Sequence, residues 1–319
     1  MPTIPLHTQP ARADESHHVC APGGYEWWYF DASDERHDRH VVAVVFDGFA
    51  FHPRYLREYV RYRRAPTRVS PPVPRQYPCV YLAFYERGLP RGRTLSMTAE
   101  PLDGPASRGE LRVCSGRMSA TLSFAPRVGH APLELGLNGS VHRWIAGGPF
   151  CDVEGSVRCD GQDLTFTGRG YREHHYGTRP FALDVARWFR GRVLFDDAAY
   201  AFQVVRATGA GADEARVVQT TAGRSVEISV ARPTSDWSGQ ARPGVEYPRS
   251  VALDDVLLLH NPRVIDASAF HARLVYDAVS PGGRCGEALC DAVHPPRLRM
   301  PLLGRMIEKA MDRLAAETA

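Results

Sequence analysis

The run Trp188-Phe189-Arg190-Gly191-Arg192-Val193-Leu194-Phe195-Asp196-Asp197, continued by residues 200–205, repeats a pattern set earlier by Trp27-Trp28-Tyr29-Phe30-Asp31 and residues 41–46. In both places an aromatic strand passes through an acidic turn into an apolar strand. The echo points to a structural repeat with its junction near residues 178–187. Working outward from the first copy, short β-like runs follow at 80–86, 94–98, 110–113, 118–124, 133–137, 140–144, 151–157 and 164–168, each bounded by Gly, Pro, Asp or Arg. The second copy leads into runs at 191–195, 215–220, 225–231, 251–259 and 269–277. No βα alternation is visible. The expected fold is therefore all-β, with two tandem antiparallel β-barrel or sandwich domains. The expected division is a flexible lead-in at 1–22, domains at 23–180 and 181–299, and a C-terminal helix at 300–319.

Composition supports this reading. Gly 28 and Pro 25 are roughly a sixth of the 319 residues, above the usual average of about 12%, and that punctuation favours many short elements. The 39 basic and 36 acidic residues leave a formal charge of only +3, so no nucleic-acid partner is expected. Lys309 is the one lysine, and the arginines are scattered through every segment, as a compositional bias would scatter them. The 7 cysteines form no Cys-x-x-Cys pair, which excludes a zinc ribbon or thioredoxin-like motif and predicts reduced, mostly buried thiols. The N-terminal residues are polar with no apolar core, against a secretory signal, and no run approaches the roughly 18 apolar residues that span a bilayer. A cytoplasmic location, or at most a peripheral membrane one, is expected.

Near the C-terminus the period changes. Leu303, Met306, Ile307, Ala310, Met311 and Leu314 follow helical spacing, with Arg305, Glu308, Lys309, Asp312 and Arg313 opposite. This short amphipathic helix is expected to pack on the protein's own barrel, since acidic residues dilute its polar face; peripheral membrane contact is the alternative. The Arg- and Pro-rich stretch 61–76 reads as a loop that shapes a pocket.

Two segments carry candidate chemistry. Tyr25-Glu26-Trp27-Trp28-Tyr29-Phe30-Asp31 would place rings on both faces of a strand, an arrangement that core packing also explains. Gly168-Arg169-Gly170-Tyr171-Arg172-Glu173-His174-His175-Tyr176-Gly177 gathers titratable and aromatic residues at a density that a surface strand seldom needs. Alternation puts Tyr171, Glu173 and His175 on one face and Arg172, His174 and Tyr176 on the other. A carboxyl between a phenol and an imidazole, turned into an apolar barrel mouth, becomes a proton donor near neutral pH. A buried, hydrogen-bonded strand end accounts for the same residues without catalysis. Adjacent histidines on a strand diverge and no His-Glu-x-x-His is present, so no metal site is expected. Neither a Gly-x-Ser-x-Gly elbow nor a nucleotide-binding glycine loop occurs.

The pairing of Glu26-Trp27-Trp28-Tyr29-Phe30 with Gly168-x-Gly170-Tyr171-x-Glu173-His174-x-Tyr176-Gly177 resembles the carotenoid 1,2-hydratase (hydroxyneurosporene synthase) family and its lipocalin-like relatives. The similarity runs on through Arg187-Trp188-Phe189-Arg190-Gly191-Arg192 and covers residues 22–206 most closely. The resemblance implies two tandem lipocalin-like β domains with a deep apolar site near their junction. It also implies a cofactor-independent enzyme that hydrates or cyclises isoprenoid chains, or a pericyclase that folds a polyene. By position the family's acid falls on Glu173, its tyrosine on Tyr171 and its late aromatic on Tyr176, with Trp144 a further pocket aromatic. Where the hydratases show Tyr-His-Asp-His-Asn-Trp, this chain has Tyr171-Arg172-Glu173-His174-His175-Tyr176, with a longer acid and Tyr for Trp.

These residue types suit the chemistry. Protonating a trisubstituted alkene needs a strong, positioned acid in a dry site, and the resulting cation is best held by aromatic faces that do not trap it. The expected catalytic set is Glu173 as general acid, oriented by Tyr171 and His175. Trp27, Trp28, Trp144, Tyr176, Trp188 and His174 are the expected substrate-binding set. The ligand is expected to be an apolar isoprenoid or polyene, with no cofactor and no metal. A non-catalytic lipocalin-like binder of an apolar ligand remains the alternative from a different class.

Overall fold

The computed structural model describes residues 15–73, 79–96, 109–115, 117–127, 133–139 and 141–316. Most of the expected lead-in, Met97 and Thr98, Ser140 and residues 74–76 lie outside them. The first sheet is built from Tyr25–Asp34 (β1), Arg39–Gly48 (β2), Cys79–Glu86 (β3), Leu89–Ser96 (β4), Glu110–Ser115 (β5), Met118–Pro126 (β6), Leu133–Leu137 (β7), His142–Cys159 (β8) and Gln162–Gly177 (β9). The helix Pro53–Arg64 (α1) follows β2, and the short helix Phe181–Asp184 (α2) follows β9. The second sheet takes Val185–Leu194 (β10), Ala198–Ala207 (β11), Glu214–Thr221 (β12), Arg224–Ser229 (β13) and Pro233–Ser235 (β14). After a two-stranded ribbon, Gly239–Ala241 (β15) and Val245–Tyr247 (β16), it continues with Val251–Leu253 (β17), Leu257–Ala267 (β18), His271–Val279 (β19) and Cys285–Val293 (β20). A 3-10 turn at Pro295–Arg299 leads to the helix Pro301–Ala316 (α3).

The all-β expectation holds: both sheets are antiparallel and curl as half-barrels. They also share a plan. In the first, β1 lies between β2 and the last strand β9; in the second, β10 lies between β11 and the last strand β20. The two aromatic motifs thus occupy matching central positions, and central strands must be buried on both faces. Along β1, Trp28, Phe30 and Ala32 pack into the first sheet's own core with Val41, Phe84, Phe124 and Phe166. Tyr25, Trp27 and Tyr29 point the other way into a cluster shared with Trp188 of β10, Phe181 of α2 and Ile307 of α3. The second sheet encloses its own cluster around Phe189, Phe202 and Tyr276. Burial of each such ring contributes roughly 1.5–3 kcal/mol, so the shared cluster strongly favours docking of the two sheets.

The motif glycines allow that packing. A side chain at Gly168 would collide with the Ser33 carbonyl oxygen, and a Cβ at Gly170 would lie 2.6 Å from the Asp31 oxygen. Both glycines let β9 lie close against β1.

Several local expectations are corrected. The runs at 140–144 and 151–157 form one strand, β8, because register shifts between Ile145 and Gly148 and between Gly148 and Cys151 absorb the intervening glycines and proline. Part of the loop expected at 61–76 belongs to α1. Pro53 occupies the first turn of that helix, His52 Nδ1 accepts from the Arg54 amide, and Tyr55, Leu56 and Tyr59 form its buried stripe. The C-terminal helix does pack on the body: Ile307 is buried and Glu308 pairs with Arg57 of α1 at 2.7 Å. Met300, Leu302 and Met306 remain exposed. Among the described residues no helix is long and apolar enough to cross a membrane.

Where the sheets meet, Arg192 of β10 is 1% exposed and donates to Asp31 Oδ1 at 2.7 Å and Ser33 Oγ at 2.6 Å. Removing one partner of such a pair leaves an uncompensated buried charge. Arg192→Met is expected to cost about 3–5 kcal/mol in urea denaturation, and Arg192→Met with Asp31→Leu to recover most of it. A loss below about 1 kcal/mol in the single variant would show that the pair does not hold the sheets together.

Candidate active site

Register on the two central strands builds the site. Antiparallel pairing of β1 with β9 sets Trp27 opposite His175, Tyr29 opposite Glu173 and Asp31 opposite Tyr171. Pairing of β10 with β20 and β11 sets Arg190 beside Asp291 and Gln203. The sheets face each other in layers. Trp27 and Trp188 enclose His175, with ring centroids 4.8 and 5.5 Å away. In the next layer Arg190 lies 3.6 Å above the Tyr29 ring and its Nη1 contacts Glu173 Oε1. Arg192 and Asp31 form the layer beyond.

Glu173 is 3% exposed, and each of its carboxyl oxygens contacts a polar side chain. Tyr171 Oη donates to its Oε2 at 2.6 Å and itself accepts from Trp144 Nε1 at 3.1 Å. His175 Nε2 lies 3.1 Å from Oε1. The tautomer of that histidine can be argued. Indole N–H can only donate, so Trp188 Nε1, 2.8 Å from Gln203 Oε1, fixes the Gln203 amide. Its N–H2 then faces His175 Nε2 at 3.2 Å, which makes that nitrogen an acceptor and leaves the ring proton on Nδ1. An acceptor nitrogen beside Oε1 suits a protonated Glu173, whereas Arg190 suits an ionised one. The carboxyl is therefore poised between two partners.

A cavity of about 620 Å³ lies between the sheets in front of this network. Trp27, Phe46, Phe49, Phe51, Trp188 and Phe270 give it an aromatic wall, and Ile307 and Met311 of α3 close one side. Its opposite wall is polar: Arg93, Arg190, Asp266, His271, Arg273 and Asp291. Asp291 accepts from His271 Nε2 and Arg273 Nε, each at 2.8 Å, and faces Arg190 Nη2 at 3.5 Å. Burial works to raise its carboxyl, but Arg273, His271 and Arg190 outweigh that and hold it well below the usual carboxylate range. Burial raises the hydroxyls of Tyr29 and Tyr171 well above the usual phenol range.

The expected site residues therefore separate. Trp27 and Trp188 line the cavity; Tyr171, Glu173, His175 and Trp144 form the connected layer behind it. Trp28, His174 and Tyr176 face away. His174 stacks on Trp28 with centroids 4.6 Å apart and bonds Glu26 at 2.9 Å, while Tyr176 donates to Glu134 at 2.9 Å and stacks on His17. His174 and Tyr176 lie on the face of β9 turned away from the cavity, and Trp28 on the matching face of β1, as alternation along each strand requires. Among the described residues no group of three or more His, Cys, Asp or Glu side chains could hold a metal. Arg190, His271, Arg273 and Asp291 escaped the sequence reading. A usable signal was present for Arg190 and Arg192, since they share the face of Trp188 on an inward strand and buried guanidinium groups require acids opposite.

The resemblance read from the sequence holds in the comparisons with known proteins. The chain is 31% identical over 237 residues to a Chlorobaculum tepidum protein named hydroxyneurosporene dehydrogenase, covering 63% of this chain and 62% of the relative. It thus spans less than two thirds of that relative's length. No protein-family model matches it. An AttH-type protein of Nitrosomonas europaea shares the fold with a TM-score of 0.62 at 13% identity, over 92% of this chain and 99% of its own. Kievitone hydratase of Nectria haematococca gives 0.56 at 10% identity, over 91% and 93%. CghA, in complex with Sch210972, gives 0.53 at 10% identity, over 86% and 89%. These likenesses establish the lipocalin-like two-sheet fold.

The buried histidines make the fold sensitive to acid. Burial lowers His175 to about 3, and burial with the charges of Arg192, Arg263 and Arg273 lowers His40 to about 3, from a usual 6.5. Each therefore binds its proton more readily in the unfolded chain, so its contribution is whole above pH 6.5 and is lost as the pH falls toward 3. Urea stability is expected to drop through that window by about 1.4 kcal/mol per pH unit for each histidine, and His40→Gln or His175→Gln to flatten the slope. A profile level from pH 6.5 to 4, or unchanged slopes in both variants, would contradict this assignment.

Proposed function

We propose that the cavity is the active site of a cofactor-independent hydratase or cyclase acting on a double bond of an isoprenoid chain, with Glu173 as the acid. The observation that carries this reading is the Glu173 carboxyl, held dry between Tyr171 and His175 directly behind an aromatic-walled cavity. The hydratase among the fold relatives and the hydroxyneurosporene in the name of the Chlorobaculum protein support the class of reaction and of ligand. Fold likeness to CghA keeps cyclisation within the same reading.

Glu173 must hold a proton before it can deliver one. In the resting arrangement its Oε1 is engaged by Arg190, which favours the ionised form. Asp291 already faces the same guanidinium at 3.5 Å. A ligand entering along Trp27 and Trp188 displaces Arg190 toward Asp291, and Glu173 then takes up a proton from solvent water, beside the acceptor nitrogen of His175. Transfer of that proton to the alkene forms the C–H bond and leaves a tertiary cation against the rings of Trp27, Tyr29 and Trp188. Water adds to the cation and returns a proton to Glu173, giving an alcohol. Where an internal double bond attacks first, a new C–C bond closes a ring and loss of a proton gives an isomer. Met306 of α3 is exposed and also lines the cavity, so an apolar side chain stands at its edge for a lipid-dissolved substrate.

Extracts incubated with acyclic isoprenoids test this by mass spectrometry. The wild type is expected to yield a product heavier by one water, or an isomer of unchanged mass. Glu173→Gln is expected to lower turnover by at least about a hundredfold while still binding ligand. An isomer formed equally well by Glu173→Gln would replace this mechanism with a pericyclic one, and ligand binding without any product would leave a carrier.

A further inference from the structure

The polar wall of the cavity has more donors than acceptors. Asp266 is saturated: its carboxylate accepts from Tyr81 Oη at 3.3 Å, Tyr85 Oη at 3.0 Å, Arg93 Nη1 at 2.8 Å and the Ala267 amide at 2.8 Å. Asp291 is similarly taken by His271 and Arg273. Against these two carboxylates the cavity wall carries Arg93, Arg190, Arg273 and Arg313. Even with Glu173 counted behind the wall, the positive charges are in excess. Each guanidinium offers five N–H donors, and the bonds just named use only part of them.

A second, independent feature points the same way. Tyr29 lines the cavity with its ring under Arg190, and its hydroxyl, without a hydrogen bond to the described residues, opens onto the cavity. Water satisfies such a hydroxyl in the open cavity, and a ligand that displaces the water must replace that bond or forfeit it. A hydrocarbon chain would seal this wall from water and pair none of these donors. An oxygen that accepts hydrogen bonds would satisfy them.

We infer that the ligand is an amphiphile: an apolar isoprenoid-type chain lying on the aromatic wall and, at one end, an acceptor oxygen group, carboxylate or hydroxyl, docked between Tyr29 and the arginines. This rests on the proposed function for the use of the cavity and narrows its substrate class from hydrocarbon to oxygenated chain. Arg93 and the Tyr29 hydroxyl are the groups that would recognise the oxygen, since neither bonds Glu173; Tyr29→Phe keeps the ring that lies under Arg190.

Quenching of tryptophan fluorescence, with Trp27 and Trp188 in the cavity wall, measures the preference directly. Farnesene, farnesol and farnesoic acid present one chain with no oxygen, a neutral oxygen and an anionic one. The acid or the alcohol is expected to bind the wild-type chain at least about tenfold more tightly than the hydrocarbon, with the stronger of the two showing whether the excess charge is used. Tyr29→Phe and Arg93→Gln are each expected to weaken the oxygenated ligand about fivefold and leave farnesene unchanged. Circular dichroism confirms that the variants are folded. Equal or tighter binding of farnesene, or variants that weaken all three ligands alike, would overturn the inference. Glu173-dependent turnover of the hydrocarbon in that case would leave the proposed function standing. Failure of all three ligands to bind would remove both.

Discussion

Two arginines on one strand govern the molecule. Arg190 and Arg192 project from β10 across the junction of the sheets into acids supplied by the first sheet, Glu173 and Asp31. A guanidinium cannot shed its charge at any ordinary pH, so once the shared aromatic cluster excludes water these acids are required opposite it. The alternation of β10 puts Trp188, Arg190 and Arg192 on one face, and the alternation of β1 and β9 presents Trp27 with His175, Tyr29 with Glu173 and Asp31 with Tyr171. Sheet docking and site assembly are therefore one event. The structural pair is Arg192 with Asp31, 1% and 2% exposed. The pair with chemical latitude is Arg190 with Glu173, because a second acid, Asp291, lies within reach of the same guanidinium.

That difference explains why two similar buried ion pairs can have different uses. Arg192 is held by hydrogen bonds to Asp31 at 2.7 Å and Ser33 at 2.6 Å. Glu173 shares Arg190 with an aspartate already stabilised by Arg273 and His271, so moving Arg190 costs little at Asp291 and frees a carboxyl flanked by a phenol and a neutral imidazole. The aromatic wall then has two roles: it keeps the region dry, which favours a protonated Glu173, and it offers π faces to any cation formed in front of it.

Much of this was legible in the sequence, and the rest was hidden for identifiable reasons. The all-β class followed from turn-bounded runs, and the echo between Trp27 and Trp188 marked the two central strands. Period-two alternation alone placed Tyr171, Glu173 and His175 together. Strand β20 was missed because its core, Gly286-Glu287-Ala288-Leu289-Cys290-Asp291-Ala292, is small and acidic and has little β-propensity of its own; pairing with β10 and β19 makes it a strand. With it went Asp291, the acid that His271 and Arg273 bond, although the run at 269–277 had marked β19 itself. Helix α1 was masked by its arginines, and the continuity of β8 by Gly147-Gly148-Pro149, which read as a break but sit in bulges. The placement of Trp28, His174 and Tyr176 on the face away from the cavity follows from the same alternation that turned Glu173 toward it.

The account turns on Glu173 exchanging Arg190 for a proton when the cavity fills. Infrared difference spectroscopy of the wild type and Glu173→Gln, with and without farnesol, reads that event at the carboxyl itself. The prediction is a carboxylic-acid C=O band that appears on ligand binding in the wild type and is missing from the variant. A ligand-bound wild type with no such band, its Glu173 still a carboxylate, would contradict the account.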